Sequence, residues 1–247
     1  MADQFNTLDL SCCDVAATKQ QFAVSGRNPD VDSGTDEDVW NQGGDYPFQA
    51  VDAATEIVSD DANDAAAGTG AQALRVTGLS GGLIVSETVA TNGLTPVALS
   101  NQYNRIFSTE VTAAGSGGEN AGTILVQQTA GPLVLGAVLP GAGNVLNGIF
   151  TIPDNWGSTT LLSLSASLGK QATSFLSFIL QFRRPGGGWT IGVVFDLNSQ
   201  GSGVVNFPVI GESSTLILTS GFDIRARTLG ANTANNGITV NMTFREV

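Results

Sequence analysis

The sequence predicts an all-β protein made of two antiparallel β-sandwich or jelly-roll-like modules, preceded by an extended acidic N-terminal arm. Three observations lead to this fold class: short runs in which apolar and polar residues alternate, 31 glycines that mark turns between them, and no convincing amphipathic helix. At 247 residues the chain is long enough for two β domains, each with its own core. We expect the arm over residues 1–36, the first module over 37–130, a connector over 131–148 and a second, more jelly-roll-like module over 149–247.

The N-terminal segment concentrates the net charge of −12. Residues 1–64 hold fourteen carboxylates against two cations, Lys19 and Arg27, and the rest of the chain is neutral. Residues 28–38 are turn-forming and acidic, and such a segment is mobile on its own. We therefore expect residues 1–36 to become ordered on a neighbouring subunit; a short irregular lead-in packed on its own domain is the alternative. On the first interpretation, deleting residues 1–36 leaves a folded β body that assembles poorly.

The first module is predicted from five strand-like runs. In one of them Val85 and Val89 alternate with hydroxyl-bearing residues, as expected for a strand with one buried face. Asn92-Gly93 lies between two β-prone runs, which is a strong signal for a tight hairpin. The expected strands cover residues 74–77, 83–91, 97–99, 103–112 and 123–128.

The second module follows a connector rich in glycine and free of charge. Its first run alternates leucine and alanine with serine, so that one face is apolar and the other carries hydroxyl groups. We expect the last two runs to pair across an Asn/Gly-rich loop, which leaves Arg225, Arg227 and Arg245 on the face away from the core. The expected strands cover residues 162–168, 176–183, 189–197, 205–209, 222–226 and 238–244.

The charge balance limits the partners of the chain. A pI near 4.1 argues against nucleic acid and anionic membranes, because both are bound through lysine and arginine. The sequence has no run of eighteen apolar residues and no N-terminal secretory signal, which predicts synthesis in a cytoplasm. Cys12 and Cys13 are adjacent and the chain has no histidine, so we expect neither a redox centre nor a metal site, and no cofactor.

The composition also argues against an enzyme. Without histidine, neither a Ser–His–Asp triad nor a Cys–His pair can form. Neither lysine, Lys19 or Lys170, lies in a Ser-x-x-Lys setting. The carboxylates after residue 64 are scattered singly and aromatic residues are few, so a glycan hydrolase is only a remote alternative.

Two groups of residues are candidates for binding. Asp30, Asp32 and Asp36 are spaced like the ligands of a hard cation such as calcium, but the EF-hand glycine and glutamate are missing, and a solvated acidic loop is the preferred interpretation. An Arg-Arg pair before a proline either holds a partner's carboxylate bidentately or ends a strand in solvent. The candidates for partner binding are Asp36, Glu37, Asp38, Trp40, Arg183 and Arg184.

Part of the chain resembles a family of tailed-bacteriophage virion structural proteins. The similarity begins with DVWNQGGDYPF at residues 38–48 and ends with VTAAGSGGENAGTI at residues 111–124. It covers about 90 of the 247 residues, while the second half matches loosely through FTIP at residues 150–153. The other matching segments are residues 57–59, 62–71, 76–79, 86–89 and 91–93.

The resemblance implies a non-enzymatic component of a virus particle and defines no functional residues. Together with the low charge, the paired β modules and the acidic N-terminal segment, it favours a capsid cement or decoration protein on the outer surface of the virion. We expect such a subunit to be made in the host bacterial cytoplasm and to bind the major capsid protein and copies of itself, as a homotrimer. A low-copy neck, tail or head-fibre protein with a structural or receptor-binding role is the alternative.

Overall fold

The computed structural model describes residues 19–131, 133–169, 175–198, 204–207 (backbone only), 217–232 and 236–247. Within these ranges the chain forms eighteen strands in four antiparallel sheets and no helix, which confirms the predicted all-β fold. The same ranges accordingly offer no long apolar helix that could cross a membrane. The strands are β1 (Gln21–Val31), β2 (Glu37–Asp38), β3 (Ala53–Ser59), β4 (Ala71–Ser80), β5 (Leu83–Ala90), β6 (Val97–Tyr103), β7 (Arg105–Ala114), β8 (Ile124–Gln128), β9 (Val134–Val138), β10 (Asn144–Leu146), β11 (Ile149–Thr151), β12 (Ser158–Gly169), β13 (Phe175–Arg183), β14 (Thr190–Asn198), β15 (Val204–Phe207), β16 (Ile217–Thr219), β17 (Asp223–Ala231) and β18 (Asn236–Glu246).

Two of the sheets form a jelly roll. One has the order β1-β18-β12-β15, with β16 on a further stretch of β12, and the other has the order β11-β17-β13-β14, with β2 on β17. If β2 is left aside and β15 and β16 are counted as one strand, these orders read 1-8-3-6 and 2-7-4-5, the double Greek key of an eight-stranded jelly roll. Phe150 and Phe244, from opposite sheets, stack in the core with ring centroids 4.7 Å apart.

The alternation seen in the sequence sets the inward face of the strands. On β13, Leu176, Phe178, Leu180 and Phe182 all face the core, as the pattern predicts. The expected pairing of residues 222–226 with 238–244 is wrong. The connection from β17 to β18 crosses between the two sheets, so β17 pairs with β13 and β11, whereas β18 pairs with β1 and β12.

The other two sheets form a second sandwich, inserted between the first and second strands of the jelly roll. Strands β3 to β10 make up its sheets, in the orders β10-β7-β4-β5 and β6-β3-β8-β9. Ile57, Leu74, Ile106 and Val126 lie in its core. Residues 131–148, expected as a connector, contribute β9 and β10 to this sandwich, because β9 pairs with β8 and β10 pairs with β7.

The expectation of an arm over residues 1–36 does not hold for residues 21–31. They form β1, which pairs with β18 from Gln21 to Val31, and Val24 and Val31 are buried in the jelly-roll core. Residues 1–18 lie outside the described part of the chain. The local sequence does not predict this strand, because the positions that face the core include Gly26 and Asn28, which are not typical strand residues.

Candidate functional site

A segment here termed the strap, residues 37–48, leads from the jelly roll to the inserted sandwich. Its first two residues form β2, which pairs with β17. Val39 then donates its N–H to the carbonyl oxygen of Ala226 at 2.8 Å, and the side chains of Trp40 and Tyr46 are buried. The strap is therefore part of the folded core, and its charged residues meet those of β17.

Asp38 is the central carboxylate of the strap. It has no exposed surface, and Arg227 and Arg225 place Nη1 at 2.9 Å and 3.2 Å from its Oδ1. The N–H of Tyr46 donates to Oδ2 at 2.8 Å, and Arg227 also pairs with the exposed Asp45. Burial raises the pKa of Asp38 above its ordinary value, against the opposing effect of the two arginines and the Tyr46 N–H. The carboxylate is thus fully occupied within the chain.

Asp223 ties the two sandwiches together. Its Oδ1 accepts hydrogen bonds from Nη2 of Arg105 at 2.9 Å and from Oγ1 of Thr151 at 2.6 Å, and its Oδ2 accepts from Arg183 Nη2 at 2.5 Å. Arg105 belongs to β7 of the inserted sandwich, whereas Asp223 and Arg183 belong to the jelly roll. The side chains of Arg105 and Asp223 are 6% and 7% exposed, so this ion pair is largely removed from water.

Two aromatic rings lie between the arginines of these two ion-pair groups. The guanidinium carbons of Arg105 and Arg183 lie 4.7 Å and 5.0 Å from the centroid of the Phe48 ring. Those of Arg183 and Arg225 lie 4.5 Å and 4.2 Å from the Trp189 ring. Each cation–π contact is worth about 0.5–2 kcal/mol, more when it is desolvated. The row of rings and guanidinium groups therefore holds the end of the strap against the jelly roll and the inserted sandwich.

Three of the residues expected to bind a partner have internal roles. Glu37 is buried and accepts hydrogen bonds from Nδ2 of Asn28 at 2.6 Å and from the Gly44 N–H at 3.4 Å. Trp40 is buried and donates from Nε1 to the Gly44 carbonyl at 3.3 Å. Asp38 is held by the arginines described above. Their polar groups stabilise the strap, and none of the three is presented at the surface of the single chain.

The other three expected residues differ in exposure. Arg183 is directed into the ion-pair group described above, with its side chain 23% exposed. Arg184 is exposed and its guanidinium carbon lies 5.9 Å from the centroid of the Phe222 ring. Asp36 is exposed, and its backbone carbonyl accepts from Nη2 of Arg227 at 3.1 Å. Of the six, Asp36 and Arg184 therefore offer the most accessible charges.

The calcium candidate is not assembled. Asp30 and Asp32 are exposed and border a polar cleft of about 350 Å³, but Asp36 does not line it. The Glu37 carboxylate, which also borders the cleft, is already used by the N–H groups of Asp32 and Gly44. Within the described ranges, no three acidic or cysteine side chains come close enough together to hold a metal ion.

Asp64 organises a second structural centre that the sequence did not single out. Its Oδ1 accepts from the N–H groups of Ala71 and Ala121 at 2.7 Å and 2.8 Å, and its Oδ2 accepts from Ser59 Oγ and the Gly122 N–H at 2.7 Å and 2.9 Å. Burial raises the pKa of Asp64, but these hydrogen bonds outweigh it and hold the pKa below its ordinary value. The signal that could have identified Asp64 is its place inside the segment with the family resemblance.

The described ranges thus form an all-β protein, a jelly roll with an inserted sandwich, in which the buried charges join the strands. No family model matches the chain, and no curated protein matches it. Among solved structures, infectious bursal disease virus VP2 in a subviral particle aligns with 95% of this chain and 78% of its own, at 9% identity and a TM-score of 0.20. A structure of the Gt strain of infectious bursal disease virus aligns with the same shares at 9% identity and a TM-score of 0.19. At these TM-scores the likeness carries no argument about fold or function.

Proposed function

We propose that this chain is a structural component of a tailed-phage virion, a cement or decoration protein that binds the outer shell and stabilises contacts between major capsid subunits. In this role the chain makes no covalent change to a substrate. It acts by presenting a rigid surface to several neighbours at once, with copies of itself clustered as a trimer around a threefold position of the shell.

The observation that carries the proposal is the structural use of the segments that resemble the phage family. Residues 38–48 form most of the strap, and residues 62–71 and 111–124 supply Asp64 and three of the four groups that bond to it. The residues that carry the resemblance thus stabilise the fold, which is consistent with a protein that acts through its shape and its contacts with neighbours.

The use of charge gives further support. The buried carboxylates of the described ranges all accept hydrogen bonds from donors inside the chain. They are Glu37, Asp38, Asp64 and Asp223. Charged residues make up only 13% of the sequence, about half the usual share. Surfaces depleted of charge are typical of the cores of protein–protein interfaces.

The proposal is tested by the number of copies in the particle. We expect a cryo-EM map of the intact virion to show this chain on the outer shell in hundreds of copies, with the ordered strands β1 to β18 fitting the density. Six or twelve copies at a single vertex or along the tail would contradict the cement role and support the neck, tail or fibre alternative.

A second experiment tests the enzyme alternative. The full chain is incubated with host cell-wall and capsular glycans, and the release of reducing ends is measured. We expect no turnover above a boiled sample. Sustained release of sugar by the purified chain would show that the glycan hydrolase hypothesis is right and that the cement proposal is incomplete.

A further inference from the structure

The outer face of the sheet formed by β1, β18 and β12 carries an ordered array of mostly small polar side chains. Along each strand these residues alternate with buried ones such as Val24, Val240 and Ala166, and they are exposed or half-buried themselves. The cross-strand rows are Ala23–Thr243–Ser163, Ser25–Asn241–Ser165 and Arg27–Thr239–Ser167. These nine positions are termed the hydroxyl face.

Hydrogen bonds across the strands hold part of this array in place. Ser25 Oγ donates to Asn241 Oδ1 at 2.7 Å, and Asn241 Nδ2 lies 3.5 Å from Ser165 Oγ. Serine, threonine and asparagine can both donate and accept, and their short side chains lose little conformational entropy when they are covered. The hydroxyl face is therefore a pre-ordered surface that a protein partner can cover at low entropic cost.

The charge of the hydroxyl face is opposite to that of the chain as a whole. Its nine positions include no carboxylate and one arginine, Arg27, whereas the chain carries 22 acidic residues against 10 basic ones. Arg245, in the next row beside Gln21, adds a second cation at the border of the face. A chain with a net charge of −12 repels its own copies, so a surface without carboxylates is the place where another copy can approach.

The inserted sandwich offers a complementary surface. Its residues 53–146 include seven carboxylates and two arginines. Arg105 is directed at Asp223 of the jelly roll and Arg75 pairs with Glu110, so neither neutralises the remaining acids. Asp60 and Glu119 are exposed in the loops around Asp64, at one end of this sandwich.

We propose that the hydroxyl face is a contact surface for a second copy of this chain, which meets it with the acidic end of its inserted sandwich. Such a contact joins two different surfaces, and repeated head-to-tail contacts of this kind close into a ring when the rotation allows. Three strands about 4.8 Å apart and five residues long present roughly 250 Å², about a third of the ~800 Å² per partner of a standard interface. We therefore expect weak association in solution. The inference concerns a contact between copies and does not depend on binding to a viral shell.

Sedimentation equilibrium of the full chain tests this contact. We expect reversible self-association at high protein concentration in about 0.15 M salt, which screens the long-range repulsion between two acidic chains but acts less on charges in close contact. The double variant Arg27→Glu/Ser163→Glu places negative charge on two exposed positions of the hydroxyl face and should raise the dissociation constant at least tenfold. Asp60→Lys/Glu119→Lys, at the other surface, should do the same.

Thr190→Glu is the matched control, because Thr190 is exposed on β14 of the opposite sheet of the same jelly roll. The association of Thr190→Glu should equal that of the unaltered chain, and Thr190→Glu and the hydroxyl-face variants should keep the melting temperature of the unaltered chain. A lower melting temperature is expected only for Asp60→Lys/Glu119→Lys, because the Asp60 carboxylate accepts a hydrogen bond from the Thr123 N–H. Asn241→Asp provides an independent probe at the centre of the hydroxyl face, with the same direction of change expected, because it places a carboxylate opposite the acidic end. A monomer at every concentration, or association that the hydroxyl-face variants leave unchanged, would overturn the proposal. Association that does not respond to Asp60→Lys/Glu119→Lys would overturn the assignment of the acidic end as the partner surface.

Discussion

Arg105 on β7 of the inserted sandwich donates a hydrogen bond of 2.9 Å to Asp223 on β17 of the jelly roll, 118 residues away in the sequence. The same carboxylate binds Arg183, so one acidic group pairs with an arginine from each sandwich. Phe48 of the strap lies against both guanidinium groups. This relationship couples the stability of the two sandwiches, because Arg105 loses its carboxylate partner if they separate, whereas Arg183 and Asp223 stay together in the jelly roll.

We expect Arg105→Ala to lower the free energy of unfolding by about 2–3 kcal/mol, because Asp223 loses one charged partner in a largely dry site but keeps Arg183 and Thr151. Denaturant unfolding, followed by tryptophan fluorescence, measures the loss. Arg75→Ala is the matched control: Arg75 and Glu110 form an exposed pair, with side chains 40% and 46% exposed, so the expected change is below about 1 kcal/mol. Equal losses in both variants would contradict a clamping role for the Arg105–Asp223 pair.

The sequence predicts the strands well and their arrangement poorly, for a physical reason. Alternation at Leu176, Phe178 and Leu180 reports which face of a strand is buried, and the structure confirms it. Nothing in a local pattern encodes that β17 and β18 lie in different sheets, or that a whole sandwich is inserted after β2. These features depend on contacts between residues far apart in the sequence.

The same limit applies to what the sequence predicts about the charged residues. The sequence places Arg225 and Arg227 on the face of β17 away from the core, and this prediction is confirmed. The sequence does not show that the strap brings Asp38 to these two arginines, because Asp38 and Arg225 are 187 residues apart in the chain. For this reason Glu37 and Asp38, which look like part of a solvated segment in the sequence, are buried in the fold and their carboxylates bond within the chain.

Asp64→Asn should destabilise the inserted sandwich by about 3 kcal/mol. The amide nitrogen of asparagine replaces either Oδ1, which accepts from two N–H groups, or Oδ2, which accepts from an N–H and a hydroxyl. In either orientation the two donors at that position lose their acceptor. The measurement is the free energy of unfolding at pH 7. Asp196→Asn serves as control, since that carboxylate is exposed and accepts one hydrogen bond, from Ser177. A loss no greater than that of the control would show that Asp64 does not hold these loops together.

The pH dependence of stability should follow the lowered pKa values of Asp64 and Glu87. Burial opposes the shift at Glu87, but the N–H groups of Ser100 and Asn101 and the Tyr103 hydroxyl bond to its carboxylate and lower its pKa overall. A carboxyl group whose pKa is lower in the folded state stabilises the fold above its unfolded value and loses that contribution as the pH falls through its folded pKa. We expect the melting temperature to fall as the pH drops below about 4, and to fall less steeply in Asp64→Asn. The same slope in both proteins would rule out Asp64 as a source.

Gly26→Ala should destabilise the jelly roll where β1 meets the end of the insertion. A methyl group on Gly26 would lie 2.4 Å from Gly148 Cα and 2.7 Å from the Val39 carbonyl oxygen, and these backbone atoms cannot move away independently. We expect a loss of about 2–3 kcal/mol, as for overpacking in a core. Gly157→Ala is the control, because no atom lies within 4 Å of the added methyl group, and its stability should change little. Thermal unfolding of both variants makes the comparison, and a neutral Gly26→Ala would show that β1 does not approach this closely.

Truncation of the N-terminus distinguishes a strand from an arm. Deleting residues 1–36 removes β1, its pairing with β18 and the buried side chains of Val24 and Val31, so we expect the jelly roll to unfold or aggregate. Deleting residues 1–18 keeps every described hydrogen bond of β1, including that from the Glu246 N–H to the Gln20 carbonyl, and should leave the melting temperature within a few degrees of the full chain. Circular dichroism melts of both truncations give the answer. A cooperative melt of the 37–247 fragment near that of the full chain would mean that β1 is dispensable, and residues 21–31 would then be an appended arm after all.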